Sequence, residues 1–319
     1  MGRNHIAVGL SLLILMLVVF GVAYSRSQKQ APLRVYGWAG LGIIFLAELF
    51  LFLRVKLVAI YFTPLVWTGY VLLADALVGR LRGHSRLGQA PGEFLALAFW
   101  SVPLWLIFEA YNLRLENWTY VGLPDNLILR SIGHVWSYAT IWPAIFATAD
   151  LVGALGLCWE GGKRRLAIGG RSRWAISLLG LVAVSVPLLL PARIGQYLFG
   201  PVWLGFILLL DPLNYRWGGR SLLGGLEAGR TSTLSSYLVA GLVCGILWEF
   251  WNYWARAKWL YIFPLWQDAK IFEMPLPGYL GFPSFALECF VMYEFLRTAR
   301  KQLLHSRGST RWEATGSRT

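Results

Sequence analysis

Apolar residues in this chain come in long blocks rather than in short alternations. Stretches such as Ile6–Tyr24 and Trp174–Pro191 carry few or no charges. Each is close to the roughly 20 residues that an α-helix needs to cross a hydrocarbon layer at about 1.5 Å per residue. The pattern predicts nine spans, near 5–24, 36–53, 59–78, 93–112, 131–153, 174–191, 197–214, 235–254 and 275–297. The expected fold is all-α: a polytopic membrane protein with one N-terminal helix followed by two parallel four-helix repeats. The expected divisions are 1–30 for the first helix, 31–157 and 158–297 for the repeats, and 298–319 for a polar, basic tail expected to be disordered.

Composition fits this reading. Of 319 residues, 57% are hydrophobic and 14% charged, where a soluble domain carries about 25% charged residues. The net charge of +13 does not point to nucleic acid, because the basic residues gather in short loops. Segments 25–34, 80–92, 158–173 and 215–234 and the tail taken with Arg297 hold 20 of the 29 Lys and Arg residues. The positive-inside rule places that side in the cytoplasm and the N-terminus outside, in a cell's inner membrane. The first block follows only Arg3 and lacks a small-residue cleavage site, so it reads as a retained helix. Cys158, Cys244 and Cys289 have no paired spacing, and no phosphate loop, nucleophile elbow or metal-ligand cluster appears. No cofactor or metal is expected.

The chain resembles itself. Trp67, Gly69 and Asp75 recur with the same spacing as Trp203, Gly205 and Asp211, and Arg80, Gly83 and Ser85 as Arg216, Gly219 and Ser221. A second block pairs Glu109, Tyr111 and Asn112 with Glu249, Trp251 and Asn252. Downstream, Trp118, Tyr120 and Pro124 match Trp259, Tyr261 and Pro264 with a one-residue slip. Four helices per unit is an even number, so both copies keep one orientation, as in parallel-repeat membrane proteins. Such units enclose a cavity at their interface, where ligands bind preferentially.

Acids inside spans are costly, about 2.5–3.5 kcal/mol at a helix centre, and each needs a reason. Asp75 and Asp211 sit near helix ends with Arg80 and Arg216 five residues on, which predicts an ion pair tying each end to its basic loop. Glu109 and Glu249 have Asn112 and Asn252 three residues later, on the same helix face. They read equally as a polar clamp between helices and as a catalytic or ligand-binding pair. Glu288 lies near the middle of the ninth span and has no counterpart in the first repeat. A carboxyl so deep is expected to hold its proton and to be able to act as a general acid; the alternative is an acid hydrogen-bonded within the bundle. His134, opening the fifth span, reads as an interfacial histidine or a site residue. Residues 248–266 are about half aromatic, denser than an interfacial belt needs, which suggests an apolar pocket able to hold a cation against ring faces.

Glu249, Trp259, Tyr261, Pro264, Gly278, Gly281, Pro283 and Glu288 together resemble the integral-membrane lycopene cyclase domain. That family's Pro-x-Glu-Glu run is stretched here to Pro283-Ser-Phe-Ala-Leu-Glu288, with one Glu rather than two. The resemblance implies cofactor-free, acid-initiated cyclisation of an isoprenoid, a carotenoid or polyprenyl, drawn from the membrane. It implies Glu288 as proton donor, with Glu249 and Asn252 orienting it or taking the proton back, and Glu109 with Asn112 serving the other half. Trp251, Trp259, Tyr261, Trp118, Tyr120 and His134 would form the substrate pocket. The expected partner is therefore a membrane lipid or isoprenoid substrate, not nucleic acid; the sequence names no protein partner. A lipid or solute transporter and a non-enzymatic scaffold remain the alternatives. A transporter of this kind is expected to show helices broken at Pro143, Pro187 or Pro283.

Overall fold

The computed structural model describes residues 4–161 and 168–316. Helices dominate it. In chain order they are α1 (Asn4–Arg26), α2 (Val35–Phe52), α3 (Lys56–Ile60), α4 (Phe62–Arg82), α5 (Arg86–Gln89), α6 (Pro91–Leu115), α7 (Leu127–Ala154), α8 (Gly170–Leu189), α9 (Ala192–Gly195), α10 (Phe199–Arg216), α11 (Leu222–Glu227), α12 (Ser232–Trp254) and α13 (Gly281–Gly316). Strand β1 (Trp118–Val121) follows α6 and strand β2 (Lys258–Tyr261) follows α12; β3 (Lys270–Ile271) and β4 (Met274–Pro275) form a small hairpin before α13.

Among the described residues, six helices are long and apolar enough to cross a membrane: α1, α2, α4, α6, α8 and α12. Large side chains such as Leu15, Leu17, Trp38, Phe45, Leu178 and Leu179 stand exposed on α1, α2 and α8, as lipid-facing surfaces do. The expected disordered tail is corrected by the structure, since α13 runs on to Gly316. Its segment 297–304 is built of Arg, Ala, Lys, Gln and Leu with a single Thr, and all but the Thr are good helix formers.

Helix α2 packs on α4, and α8 on α10. Both contacts are made through glycine. A Cβ on Gly40 would lie 2.5 Å from the carbonyl oxygen of Gly69, one on Gly205 would lie 2.6 Å from Cγ1 of Val184, and one on Gly180 would collide with the backbone of Leu209. Small residues let helix backbones approach where no hydrophobic effect drives association. Helix α7 packs on α4 and α6, and α13 on α10 and α12, while α12 joins α7 across the middle.

The matched polar positions turn out to be caps. Ser85 Oγ accepts from Gly88 N (3.2 Å) and Ser221 Oγ from Gly224 N (2.8 Å), so each opens a short helix. Asp75 accepts from Leu87 N (3.1 Å) and from the Tyr36 hydroxyl (2.8 Å). Asp211 accepts from Leu222 N and Leu223 N, both at 2.8 Å. The expected pairs with Arg80 and Arg216 do not form. The acids satisfy orphan N–H groups at the starts of α5 and α11 instead, a use that also exploits the helix dipole. Arginines that do find acids include Arg86, on Asp150 at 2.5 Å, Arg173, on Glu227 at 3.4 Å, and Arg220 and Arg297, both on Glu294, at 3.4 and 3.3 Å. Helices α7 and α8 run unbroken through Pro143 and Pro187, and Pro283 falls in the first turn of α13. Among the described residues none of these prolines breaks a helix.

Candidate functional site

The two aromatic loops pair with each other. β1 and β2 run antiparallel, with Trp118 opposite Tyr261 and Tyr120 opposite Trp259. Side chains alternate along a strand, so these four rings share one face of the ribbon, while Thr119 and Val121 on the other face are exposed. Gly122, at φ +67°, ends β1 where a Cβ would strike the carbonyl oxygen of Arg256.

The Glu-x-x-Asn pairs hold this ribbon down. Asn112 donates to the carbonyl of Trp118 (2.8 Å) and accepts from Asn117 N (2.8 Å) and Trp118 N (3.1 Å). Asn252 does the same for β2, donating to the Trp259 carbonyl (2.9 Å) and accepting from Trp259 N (3.0 Å). Their amides therefore grip strand backbone and do not bond a carboxyl. Each glutamate instead takes a ribbon hydroxyl. Tyr120 donates to Glu109 Oε1 at 2.5 Å, joined there by the Trp105 indole at 2.8 Å. Tyr261 donates to Glu249 Oε1 at 2.9 Å and accepts from the Trp259 indole at 2.8 Å. Burial pushes both phenols well above the usual tyrosine range. Tyr138 and Glu109 add to the shift at Tyr120, and Glu249 adds to it at Tyr261.

Under the ribbon lies a cavity of about 160 Å³, walled by the first turns of α4, α7, α10 and α13 and the last turns of α6 and α12. That is about the size of an engineered cavity that holds benzene, so it fits one end group rather than a whole long chain. Its walls are mostly rings: Trp67, Trp105, Trp118, Trp203, Trp248 and Phe285 among them. Phe285 is the hub, within 6.0 Å centroid to centroid of Trp105, Phe108, Trp142 and Trp248.

The residues singled out from sequence fall into three places. Trp118, Tyr120, Trp259, Tyr261 and His134 line the cavity; His134 stacks on Tyr138 with centroids 5.6 Å apart. Glu109, Glu249, Asn112 and Asn252 are not in the lining; the two glutamates touch lining residues through the Tyr120, Tyr261 and Trp105 hydrogen bonds, and the two asparagines through ribbon backbone. Trp251 and Glu288 are outside the lining. Trp251 packs on Trp67 and donates to Glu48 Oε1 at 2.9 Å. Glu288 is fully buried on α13, one turn past Phe285, and among the described residues neither of its oxygens has a hydrogen-bond partner.

Several lining residues were not anticipated: Trp67, Trp105, Tyr138, Trp203 and Phe285. Trp67 and Trp203 head the repeated Trp-x-Gly block, and that repetition was a usable signal. Tyr138 lies four residues after His134, one helical turn on. The Trp-x-Tyr alternation at 118–120 and 259–261 was the sign of the two strands.

Unsatisfied groups cluster here. Of nine buried side-chain N and O atoms without partners among the described residues, four belong to lining residues: Thr63 Oγ1, Trp67 Nε1, Trp118 Nε1 and His134 Nε2. Each such orphan costs about 1–3 kcal/mol. No group of three or more His, Cys, Asp or Glu able to hold a metal occurs among the described residues. No protein-family model, curated protein or solved structure matches this chain. The fold and cavity thus define a mostly helical protein with membrane-compatible helices and an aromatic chamber at one end.

Proposed function

We propose that this chain is an integral-membrane enzyme that takes the unsaturated end of an isoprenoid into the aromatic chamber and rearranges it by proton transfer, without a cofactor. One observation carries the reading. The chamber's roof presents two tyrosine hydroxyls, each hydrogen-bonded to a carboxyl on the helix behind it. Nine spans in two parallel four-helix units are part of the same proposal. The recurring element order, α2–α6 then β1 and α7 against α8–α12 then β2 and α13, supports it, as do the duplicated caps and clamps. With the basic loops in the cytoplasm, the ribbon and chamber face the outer side.

The chemistry follows from the groups at the wall. Glu249 is fully buried, and a carboxyl so removed from water is carried neutral. In its neutral form Glu249 donates to the Tyr261 oxygen, the reverse of the resting hydrogen bond, and its proton passes to Tyr261 as the Tyr261 proton moves to the terminal carbon of a C=C bond. That bond's electron pair forms the new C–H bond and leaves a carbocation, which the ring faces stabilise. A neighbouring C=C attacks the cation and closes a ring. Tyr120 takes a proton from the adjacent carbon as its own proton passes along their hydrogen bond to Glu109, and the C–H electron pair restores a double bond. Atoms balance as an isomerisation. Glu288, expected from the resemblance to be the donor, is the deeper acid, one turn behind Phe285.

Expression in a host that accumulates linear polyenes tests this. Wild type should yield a cyclised product, and Glu249→Gln should lower it by about the 10²–10⁴-fold typical of a lost general acid. If Glu288→Gln alone abolishes product while Glu249→Gln does not, Glu288 is the donor. Absence of any new product, with movement of lipid or solute across the membrane instead, argues for transport.

A further inference from the structure

A second cavity, of about 370 Å³, lies at the other end of α10 and α13. Its walls are the turn that follows α10, starting at Trp217, and the part of α13 from Glu294 to Gln302. Trp217 lies roughly 27 Å along the helix axis from Phe199, which lines the aromatic chamber. The turn is fastened onto α13. Trp217 stacks on Phe295 with centroids 5.3 Å apart, and its carbonyl accepts from Gln302 Nε2 at 3.2 Å. Gly218, at φ +71°, turns the chain out of α10, and Gly219 lies so close to Thr298 that a Cβ there would collide with its hydroxyl.

Among the described residues, this recess sets three cations, Arg220, Arg297 and Lys301, against one acid, Glu294. Both guanidiniums touch the same atom. Each offers Nη1 to Glu294 Oε1, at 3.4 and 3.3 Å. Those two nitrogens therefore lie no farther apart than the two distances together. Both contacts are longer than the about 2.7–2.9 Å of a well-made charge-assisted hydrogen bond. The Glu294 side chain is only 4% exposed, while those of Arg220 and Arg297 are 53% and 38% exposed. The carboxylate thus lies deeper than the guanidiniums. Arg220 is also held over the Phe290 ring, 5.2 Å from its centroid. Lys301, one helical turn beyond Arg297, is exposed. One carboxylate cannot neutralise three cations, so the recess stays positive.

We propose that this recess binds the phosphate of an anionic phospholipid. A phosphate offers oxygens on several sides and can bridge two guanidinium forks, a geometry that suits arginine better than lysine. The level in the molecule fits a headgroup. Arg216, next to Trp217, lies over Trp174 in the first turn of α8, a helix long and apolar enough to cross a membrane. The recess therefore sits at one end of a membrane-length helix, with a tryptophan at its edge as at membrane interfaces. Basic pockets between helices at that level take anionic headgroups. The proposal needs α8 to cross the membrane and does not depend on the chemistry of the chamber.

Native mass spectrometry of the full chain, released from detergent micelles after addition of phosphatidylglycerol or phosphatidylcholine with the same acyl chains, tests it. Phosphatidylcholine presents the same phosphate followed by a cation, which a positive recess repels. Phosphatidylglycerol should bind at least about tenfold more tightly. Lys301→Gln leaves both arginine contacts to Glu294 in place and should weaken phosphatidylglycerol about fivefold, the worth of one basic residue near a lipid surface. Arg230→Gln removes the same charge from an exposed position outside the recess and should change nothing. Glu294→Gln keeps the shape, removes the competing charge and should tighten binding, which a loss of fold cannot do. Equal affinity for the two lipids overturns the proposal, and so do equal losses in Lys301→Gln and Arg230→Gln, which would mean surface charge alone. Displacement of the lipid by an excess of inorganic phosphate would make the recess a site for a soluble anion and overturn the lipid assignment. None of these outcomes bears on the isoprenoid reading of the chamber.

Discussion

Asn112 and Asn252 show how one residue can be read two ways. Spacing alone put each on the same helix face as a glutamate, which is correct, but an amide bonds whatever strand backbone passes within reach. Each grips both the N–H and the carbonyl of a ribbon residue. Leucine is nearly isosteric and cannot bond, so Asn252→Leu should cost about 1–3 kcal/mol for stranding those buried groups. Unfolding in detergent measures this, and an unchanged midpoint would mean that the ribbon holds without its clamp. Asp75 and Asp211 carry the same lesson. The sequence shows an acid and a nearby Arg, but not that the chain folds back to bring unpaired N–H groups closer than the guanidinium. A related prediction concerns the roof phenols. Their pKa values are raised by burial, so the neutral form is favoured in the folded state. Their contribution to stability is full below the ordinary tyrosine pKa and is lost as pH rises beyond it. Alkaline titration followed by phenolate absorbance should show Tyr120 and Tyr261 ionising only as the fold is lost, and early ionisation would place them in contact with water.

At the scale of elements, the helices were legible and the ribbon was not. Long apolar blocks announce α1, α2, α4, α6, α8 and α12 directly. A four-residue strand pairs with a partner about 140 residues away, and local periodicity cannot specify a partner so distant in sequence. Only the doubled Trp-x-Tyr alternation hinted at it. The pairing makes a direct prediction. Thr119 and Leu260 are opposite each other in the register, and opposed residues of an antiparallel pair lie at disulfide distance. Cysteines at both positions should form a cross-link detectable by mass spectrometry after proteolysis; shifted registers such as Thr119 with Lys258 should not. The glycine contacts are equally testable. Gly40→Val and Gly180→Val insert atoms where backbones touch and should each cost about 1–3 kcal/mol in overpacking.

Over the whole molecule, a roof, two acids and two clamps converge on a single chamber. Segments α6–β1 and α12–β2 each supply one strand, one Glu–Tyr pair and one Asn. Glu288 on α13 stands apart from both. The internal match in sequence singled out both aromatic loops, but that they pair with each other could be learned only from the fold. The proton-transfer account is tested most directly by running the reaction in D₂O with the full chain in lipid nanodiscs. The acid exchanges its proton with solvent before the substrate meets it, so cyclised product should carry one deuterium at the carbon that is protonated first. Product formed without deuterium, or formed as fast by Glu249→Gln and Glu288→Gln variants as by the wild-type protein, would contradict an acid-initiated reaction in this chamber.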